Sequence, residues 1–329
     1  MKGFIEKLIS HEDLSEREME TAFDAIMSGR ADDIQIGAFL VALRAKGETP
    51  PEIASATRIM RDRAVRVHVD FDVMDTCGTG GDGASTFNIS TAVAFVLSGA
   101  GVKVAKHGNR SVSSSSGSAD CLEELGVPID LGPDQAAERL KAGGFAFMFA
   151  PCYHPSMKHA MPARKRLGMR TVFNILGPLT NPAGAAYQVI GVFDPDLVEP
   201  VAQVLEILGS KGAMVVNSDL DEVSVSGVTR YARLSGGRIE TGLITPEDAG
   251  IERRDLGGLK VSTPRESAGK VEAVLAGRLG GVCLDSVLIN AGAAFMALDR
   301  RIGIREGVEL AREVIARGAA LEALAKARS

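Results

Sequence analysis

Apolar residues recur at helical spacing in the first part of the chain. The repeating residues are Ile34, Phe39, Leu40 and Leu43. Two pairs, Ser15 with Glu18 and Thr49 with Glu52, fit the capping box that begins many helices. We therefore predict a small helical bundle over residues 1–66.

From about residue 70, short apolar runs alternate with longer segments of helical periodicity, as in strand–helix–strand units. The predicted strands are 73–76, 102–105, 145–149, 187–192, 213–216 and 223–225. Residues 284–298 predict a buried helix, and residues 307–327 predict one amphipathic terminal helix. This pattern indicates an α/β fold. Ligands of open α/β sheets bind beyond the carboxyl ends of the strands, so we expect the chemistry in the loops there.

Residues 156–182 interrupt this alternation with three prolines and a run of basic residues. This segment is predicted to be helical and to cross back to the N-terminal bundle. We therefore expect two domains. One is a helical domain, residues 1–66 completed by roughly 156–182, and the other is an α/β domain, residues 70–329.

Composition narrows the class of partner. The 329 residues include 37 Lys and Arg against 42 Asp and Glu, a formal charge of −5, so we expect no nucleic acid as the main partner. The four cysteines form no CxxC pair, which argues against a zinc ribbon or a disulfide scaffold. No signal peptide is evident, and the charge-free run 84–102 is rich in Ser, Thr, Asn and Gly. We expect a cytoplasmic protein with no membrane partner.

The first candidate loop is glycine-rich and follows the first predicted strand. It reads DTCGTGGDGASTFNIST over residues 75–91 and contains the spacing GxGxxG. A dinucleotide site also needs an acidic residue about 20 positions later, and none occurs between Asp82 and Asp120. Asn88, Ser90 and Thr91 place donors at the entry to a helix, which favours a phosphate cradle. A plain glycine-rich turn into a helix remains the alternative.

The second candidate loop follows the second predicted strand and reads KHGNR over residues 106–110, then SVSSSSGSAD over residues 111–120. A lysine, an arginine and several hydroxyls beside glycines suit the binding of a polyanion. The alternative is a solvated serine-rich linker, with His107 facing solvent or packed and hydrogen-bonded.

Two further groups of residues are weaker candidates by themselves. Residues 219–222 read DLDE, and Mg²⁺ commonly uses one or two carboxylates together with substrate phosphates. Arg164 lies in the basic segment, where a guanidinium suits a carboxylate. An exposed turn and a solvated helix face are the respective alternatives.

Five motifs together resemble the anthranilate phosphoribosyltransferase family. They are GTGGDG at 78–83, NIST at 88–91, KHGNRSVSS at 106–114, GSAD at 117–120 and RTVFNILGPLTNP at 170–182. The likeness spans nearly the whole chain, and GTGGD with KHGNR is far more specific than GxGxxG. Cys152 in APCYHP is a departure, since Asn or His is expected there, but His154 is retained.

The resemblance implies a large domain with a central mixed, mostly parallel sheet flanked by helices, and a small all-helical domain. It further implies a homodimer that transfers the phosphoribosyl group of 5-phosphoribosyl 1-diphosphate to anthranilate with Mg²⁺, in tryptophan biosynthesis.

The resemblance also assigns roles to residues of this sequence. Those implied for phosphoribosyl diphosphate are Gly78, Gly81, Asp82, Thr86, Asn88, Ile89, Ser90, Thr91, Lys106, His107, Gly108, Asn109, Arg110, Ser111, Val112, Ser113, Ser114 and Ser118. Those implied for Mg²⁺ are Ser90, Asp221 and Glu222, and those for anthranilate are Gly78, Asn109 and Arg164. Lys106, Asn109 and Arg164 are the expected catalytic residues, and His107 and Arg170 are expected at the anthranilate entrance.

Two other functions share this fold class. A pyrimidine nucleoside phosphorylase would use a Lys-Ser phosphate motif in place of KHGNR and would release a free base. A non-catalytic paralogue that binds nucleic acid would need a basic face, which the net charge of −5 does not favour.

Overall fold

The computed structural model describes residues 1–80, 85–111 and 115–329. Its N-terminal part is helical and consists of α1 (Lys2–Ile9), α2 (Glu16–Met27), α3 (Asp33–Lys46) and α4 (Pro50–Asp62). The Ser15 hydroxyl accepts the Glu18 N–H at the start of α2, and the Glu18 carboxylate accepts the Ser15 N–H at 2.8 Å, as the capping-box pattern predicts. Phe39, Leu40 and Leu43 are buried, whereas Ile34 is 83% exposed.

A central sheet follows, made of β1 (Met74–Gly78), β2 (Val104–Gly108), β3 (Phe145–Phe149), β4 (Tyr187–Gly191), β5 (Gly212–Asn217), β6 (Thr229–Ser235) and β7 (Arg238–Ile244). In the described part of the chain the order is β3-β2-β1-β4-β5-β6-β7. The first five strands are parallel, and β6 and β7 pair antiparallel. The predicted α/β fold with a mostly parallel sheet and a helical part is confirmed.

The strand predicted over residues 223–225 is wrong. Asn290 donates to the Val223 carbonyl and accepts the Val223 N–H, so this backbone is bonded to a side chain instead of a neighbouring strand. The β6–β7 hairpin was not predicted, although the Gly236-Gly237 pair between its strands is a recognised hairpin signal.

Helices cover both faces of the sheet. They are α5 (Ile89–Gly99), α6 (Ser118–Glu124), α7 (Pro133–Gly143), α8 (Ala150–Tyr153), α9 (Met161–Leu167), α10 (Phe173–Leu179), α11 (Val198–Ile207), α12 (Pro264–Leu275), α13 (Val282–Leu298), α14 (Ile304–Ala316) and α15 (Ala319–Arg328). The single terminal helix predicted over residues 307–327 is therefore two helices, separated at Arg317 and Gly318.

Two large apolar clusters lie on opposite sides of the sheet. One joins α5, α12, α13, α14 and α15 through residues such as Phe95 and Val287. The other joins the N-terminal helices to α10, α11 and one sheet face, and includes Phe23, Phe39 and Val215. The segment between β3 and β4 contacts the N-terminal helices, because α9 packs on α3 and α10 packs on α4. Among the described residues, no helix has the length and apolarity needed to span a bilayer.

Candidate active site

The strand order places a crevice at the carboxyl ends of the central strands. The chain runs from β1 to β2 and β3 on one side, then returns to add β4 on the other side of β1. Ligands of open α/β sheets bind at such a reversal. The loops that follow β1, β2 and β5 are the three predicted from sequence to carry chemistry.

Asp221, from the loop after β5, lies over the ends of β1 and β4. Its Oδ2 accepts the Gly80 N–H at 3.0 Å. A Cβ at Gly78 would lie 2.6 Å from Asp221 Oδ2, and a Cβ at Gly191 would lie 1.5 Å from the Asp221 carbonyl oxygen. Gly80 and Asp221 are 141 residues apart in sequence, so the glycine-rich loop and the acidic loop meet through the fold.

Lys106 lies within β2, not in the loop after it, and is 1% exposed. Its Nζ donates to the Thr76 carbonyl oxygen and, at 3.2 Å, to Ser90 Oγ in the first turn of α5. The ammonium charge therefore lies under the N-terminus of α5, where backbone N–H groups already favour an anion.

A buried carboxylate lies beside Lys106. Asp75 accepts the His107 N–H at 3.2 Å and the Asn181 amide at 2.7 Å. Burial raises the pKa of Asp75 to about 6, against the opposing effects of Lys106 and these hydrogen bonds. Asn181 also donates to the Ala105 carbonyl oxygen, so it ties β1 and β2 to the segment that follows α10.

Two histidines contact each other near the end of β2. The rings of His107 and His154 have centroids 5.0 Å apart. Burial lowers the pKa of His107 to about 3 and that of His154 to about 4, so both rings are neutral at pH 7. Among the described residues, neither Nε2 has a hydrogen-bond partner. His107 also hydrogen-bonds the Gly177 backbone, which joins β2 to α10.

Asn88 occupies the residue position just before α5, and its side chain connects the glycine-rich loop to the second candidate loop. Its Oδ1 accepts from Ser116 Oγ and from Ser267 Oγ, each at 2.7 Å. Thr91, in the first turn of the same helix, is fully buried. Ile89 is also buried. Thr86 lies just before the helix, and its backbone forms an isolated antiparallel β-bridge with Lys260.

The rest of the second loop is held by α6. The Arg110 guanidinium pairs with Asp120 at 2.9 Å and with Glu123, so it is engaged by carboxylates in this structure. Asp120 also accepts the Ser111 N–H, while Ser118 donates to the Asn109 carbonyl oxygen at 3.4 Å. Gly108 ends β2. The predictions for Gly81, Asp82, Val112, Ser113 and Ser114 lie outside the described residues.

Arg164 is half-buried on α9, and its guanidinium lies 5.0 Å from the ring centroid of Phe173 on α10. Burial lowers the pKa of this group. The Arg164 Nη1 donates to Met161 Sδ at 3.8 Å, and among the described residues no carboxylate contributes to its pKa. Arg170 lies 3.9 Å from the ring centroid of Phe193, whose N–H donates to Thr79 Oγ1, so the basic segment reaches the crevice.

The residues predicted for Mg²⁺ supply oxygen donors. Ser90 and Glu222 line the same cavity of about 10 Å³, room for one water molecule, and Asp221 is adjacent to Glu222 in the chain. The described residues contain no group of three or more His, Cys, Asp or Glu side chains placed to hold a metal alone. Two carboxylates and a hydroxyl suit Mg²⁺, which completes its octahedron with water and substrate oxygens.

The structure adds residues that sequence reasoning missed. They are Asn181, Gly191, Ser267 and Asn290. His154 was noted from the sequence as a retained motif position, but its contact with His107 was not predicted. Asn181 lies in the quoted segment 170–182, where a buried polar residue could have been suspected. The other three lie in helices or strands, where the neighbouring residues in sequence give no local sign of a role.

Comparison with known proteins agrees with this architecture. Residues 2–64 match the family described as glycosyl transferase family, helical bundle domain, and residues 70–321 match its a/b domain. A curated relative from Persephonella marina, named anthranilate phosphoribosyltransferase, is 50% identical over 100% of this chain and 98% of its own.

Solved structures give the same result. The anthranilate phosphoribosyltransferase of Thermus thermophilus superposes with a TM-score of 0.92 at 42% identity, covering 99% of each chain. The Saccharomyces cerevisiae enzyme, solved in complex with PRPP and Mg, gives 0.89 at 29% identity, covering 98% of this chain and 95% of that one.

A helical bundle beside an α/β domain with a crevice at the strand reversal defines the glycosyl transferase class to which both family matches point. Within that class, the chain belongs to the anthranilate phosphoribosyltransferase family. The predicted transferase function is thereby confirmed.

Proposed function

We propose that this crevice transfers the phosphoribosyl group of 5-phosphoribosyl 1-diphosphate to the amine of anthranilate. The observation that carries the proposal is the convergence of Lys106, Ser90 and Glu222 where the strand order reverses: Lys106 Nζ donates to Ser90 Oγ, and Ser90 and Glu222 line one cavity. It places a buried cation, a helix N-terminus and a carboxylate around one space.

The diphosphate end of the donor binds at the N-terminus of α5. Ser90 and Thr91 are in its first turn, and Asn88 is the residue just before it. The backbone N–H groups there and the Lys106 charge below favour a phosphate. The second loop supplies the other donors, from Lys106, His107, Gly108, Asn109, Arg110, Ser111 and Ser118. For Gly81, Asp82, Val112, Ser113 and Ser114 the proposal rests on the family motifs.

Ser90, Asp221 and Glu222 would hold Mg²⁺. When bound, the ion supplies positive charge to the departing diphosphate. The chain itself holds these carboxylates in place. Asp221 accepts the Gly80 N–H, and Val223, the residue after Glu222, is hydrogen-bonded to Asn290. Lys106 adds a fixed charge that needs no reorganisation during the reaction.

Anthranilate binds on the other side, with Arg164 facing its carboxylate and with Gly78 and Asn109 nearby. Arg164 suits this role because it is half-buried and, among the described residues, no carboxylate acts on it. An aromatic amine is largely neutral at pH 7, so no strong base is needed. The reaction proceeds with inversion through an oxocarbenium-like transition state, and positioning supplies much of the rate.

We further propose that the protein is a cytoplasmic homodimer. Each copy has a helical domain, residues 1–66 completed by roughly 156–182, and an α/β domain, residues 70–329. Exposed apolar residues on α3 support a contact between copies: Ile34 is 83% and Val41 40% exposed, and Ala38 and Ala45 continue the same face. The opposite face of α3 is buried in the bundle. A helix that is apolar on both sides needs a second partner.

The decisive experiment follows the fluorescence of anthranilate with protein, phosphoribosyl diphosphate and Mg²⁺ until the substrate is consumed. Loss of signal only in the complete mixture supports the proposal, and omission of each component is the control. A flat trace from folded protein would transfer support to a nucleoside phosphorylase, tested next by release of free base from a nucleoside.

A further inference from the structure

Ser267 lies on α12, outside every loop that the motifs assign to substrate, and is fully buried. Its Oγ accepts the Asn88 N–H at 2.9 Å and donates to Asn88 Oδ1 at 2.7 Å. One hydroxyl therefore bonds both the backbone and the side chain of Asn88, the residue just before α5.

Asn88 passes this constraint to the second loop. Its Oδ1 also accepts from Ser116 Oγ at 2.7 Å, and its Nδ2 donates to the Ser116 carbonyl oxygen at 3.3 Å. Ser116 is 6% exposed, so these bonds are shielded from water. The two loops are thus joined through one amide side chain, whose orientation Ser267 helps to fix.

The segment just before α12 fastens the same two loops by a separate route. The Phe87 N–H donates to the Leu259 carbonyl oxygen at 2.9 Å, and the Val261 N–H donates to the Ser85 carbonyl oxygen at 3.0 Å. Ser115 Oγ donates to the Val261 carbonyl oxygen at 2.7 Å. Residues 259–267 therefore contact described residues that flank each loop.

We infer that Ser267 is a positioning residue for phosphoribosyl diphosphate, which acts through Asn88 to hold the N-terminus of α5 at a fixed distance from the second loop. The inference rests on the proposed function, since it assumes that these loops bind the donor substrate. A ligand with two phosphate ends depends on that distance, whereas Arg164, which is assigned to the anthranilate carboxylate, lies on α9 outside both loops. Loss of Ser267 should therefore affect one substrate selectively.

The test compares Ser267→Ala with Ser267→Cys, whose thiol is slightly larger than the hydroxyl and is only a weak donor and acceptor. The control is Ser286→Ala on α13, because Ser286 is also buried and its Oγ has no hydrogen-bond partner among the described residues. For each protein we would measure the phosphoribosyl diphosphate Kd by calorimetry, kcat, the KM of each substrate, and the melting temperature.

For Ser267→Ala we expect the Kd and KM for phosphoribosyl diphosphate to rise about tenfold, the loss of one to two hydrogen bonds. The KM for anthranilate should change less than about twofold, Ser267→Cys should be intermediate, and the control should match the parent. Unchanged affinity for phosphoribosyl diphosphate overturns the inference. So does a parallel loss in both KM values and kcat that tracks the melting temperature.

If Ser267→Ala does not fold, Ser267→Cys decides by the same criteria. The parent protein separates this inference from the proposed function. If the parent does not consume anthranilate, the proposed function fails. If the parent is active and the Ser267 variants keep its affinity for phosphoribosyl diphosphate, only the positioning role fails.

Discussion

Gly78 and Gly191 are opposite each other in the β1–β4 register, and Asp221 lies over both. A Cβ on either would meet an Asp221 oxygen closer than 3.0 Å. The absence of a Cβ at both positions therefore lets the acidic loop pack directly against the ends of β1 and β4. Gly78 belongs to a recognisable sequence motif, whereas the role of Gly191 becomes visible only in the folded structure.

We expect Gly191→Ala to displace the acidic loop, because the new methyl group would lie 1.5 Å from the Asp221 carbonyl oxygen, a backbone atom. Overpacking of this kind costs about 1–3 kcal/mol. Activity should fall by at least about tenfold with a higher Mg²⁺ requirement, measured by metal titration of the anthranilate assay. Gly269→Ala on α12, where a Cβ meets nothing within 4 Å, is the control and should retain activity. Parent-like metal dependence in Gly191→Ala would contradict this account.

Lys106→Met should lower kcat by about 100-fold, because it keeps much of the buried volume and removes the charge below the N-terminus of α5. Steady-state kinetics and a urea titration would separate the effects on catalysis and stability. Removing the ammonium also takes a stabilising charge from Asp75, whose pKa should rise further.

The matched control is Lys103→Met, one residue before β2, whose Nζ donates to the Lys141 carbonyl oxygen away from these groups. It should leave kcat unchanged. An unaltered kcat in Lys106→Met would remove Lys106 from the catalytic residues.

Changing Asp221→Asn and Glu222→Gln together should raise the Mg²⁺ concentration for half-maximal activity by about tenfold or more, since neutral amides bind Mg²⁺ more weakly than carboxylates. Titration of Mg²⁺ at saturating substrates measures it. Asp219→Asn is the control from the same loop, because Asp219 is exposed and accepts from Ser226 Oγ. If the double variant and the control need the same Mg²⁺ concentration, the two carboxylates are not ligands.

The sequence predicted the parallel strands and the three loops because each has a local signal, either an apolar run or a motif. Val223 was misassigned because an apolar run cannot show that its backbone is bonded by the Asn290 side chain. Ser267 and Gly191 could not be found for the same reason: their partners, Asn88 and Asp221, are distant in sequence. Side chains that support a site from another element leave no periodic pattern.

Acid should destabilise the protein through His107 and His154. Their pKa values, about 3 and about 4, lie below the ordinary value near 6.5, so as the pH falls the unfolded chain binds protons that the folded protein does not. The loss from pH 7 to 5 is about 2 kcal/mol per histidine. Asp75 opposes part of it, because its raised pKa of about 6 lets the folded state take up a proton in that range.

Urea unfolding at pH 7 and 5 measures this dependence. His154→Gln should reduce the histidine contribution by about half, whereas His68→Gln, at an exposed position, should leave it unchanged. A stability that rises between pH 7 and 5 would show that these two rings do not govern acid stability.

The exposed face of α3 gives the last prediction. Ile34, Ala38, Val41 and Ala45 form an outward apolar stripe, while Phe39 and Leu43 fill the bundle core. Ile34→Asp adds a charge to the stripe without disturbing that core, so we expect a dimer that dissociates at least about 100-fold more readily, measured by sedimentation at several concentrations. Ile207→Asp on α11, also partly exposed, should leave the assembly intact. If Ile34→Asp and the parent sediment alike, the contact between copies lies elsewhere.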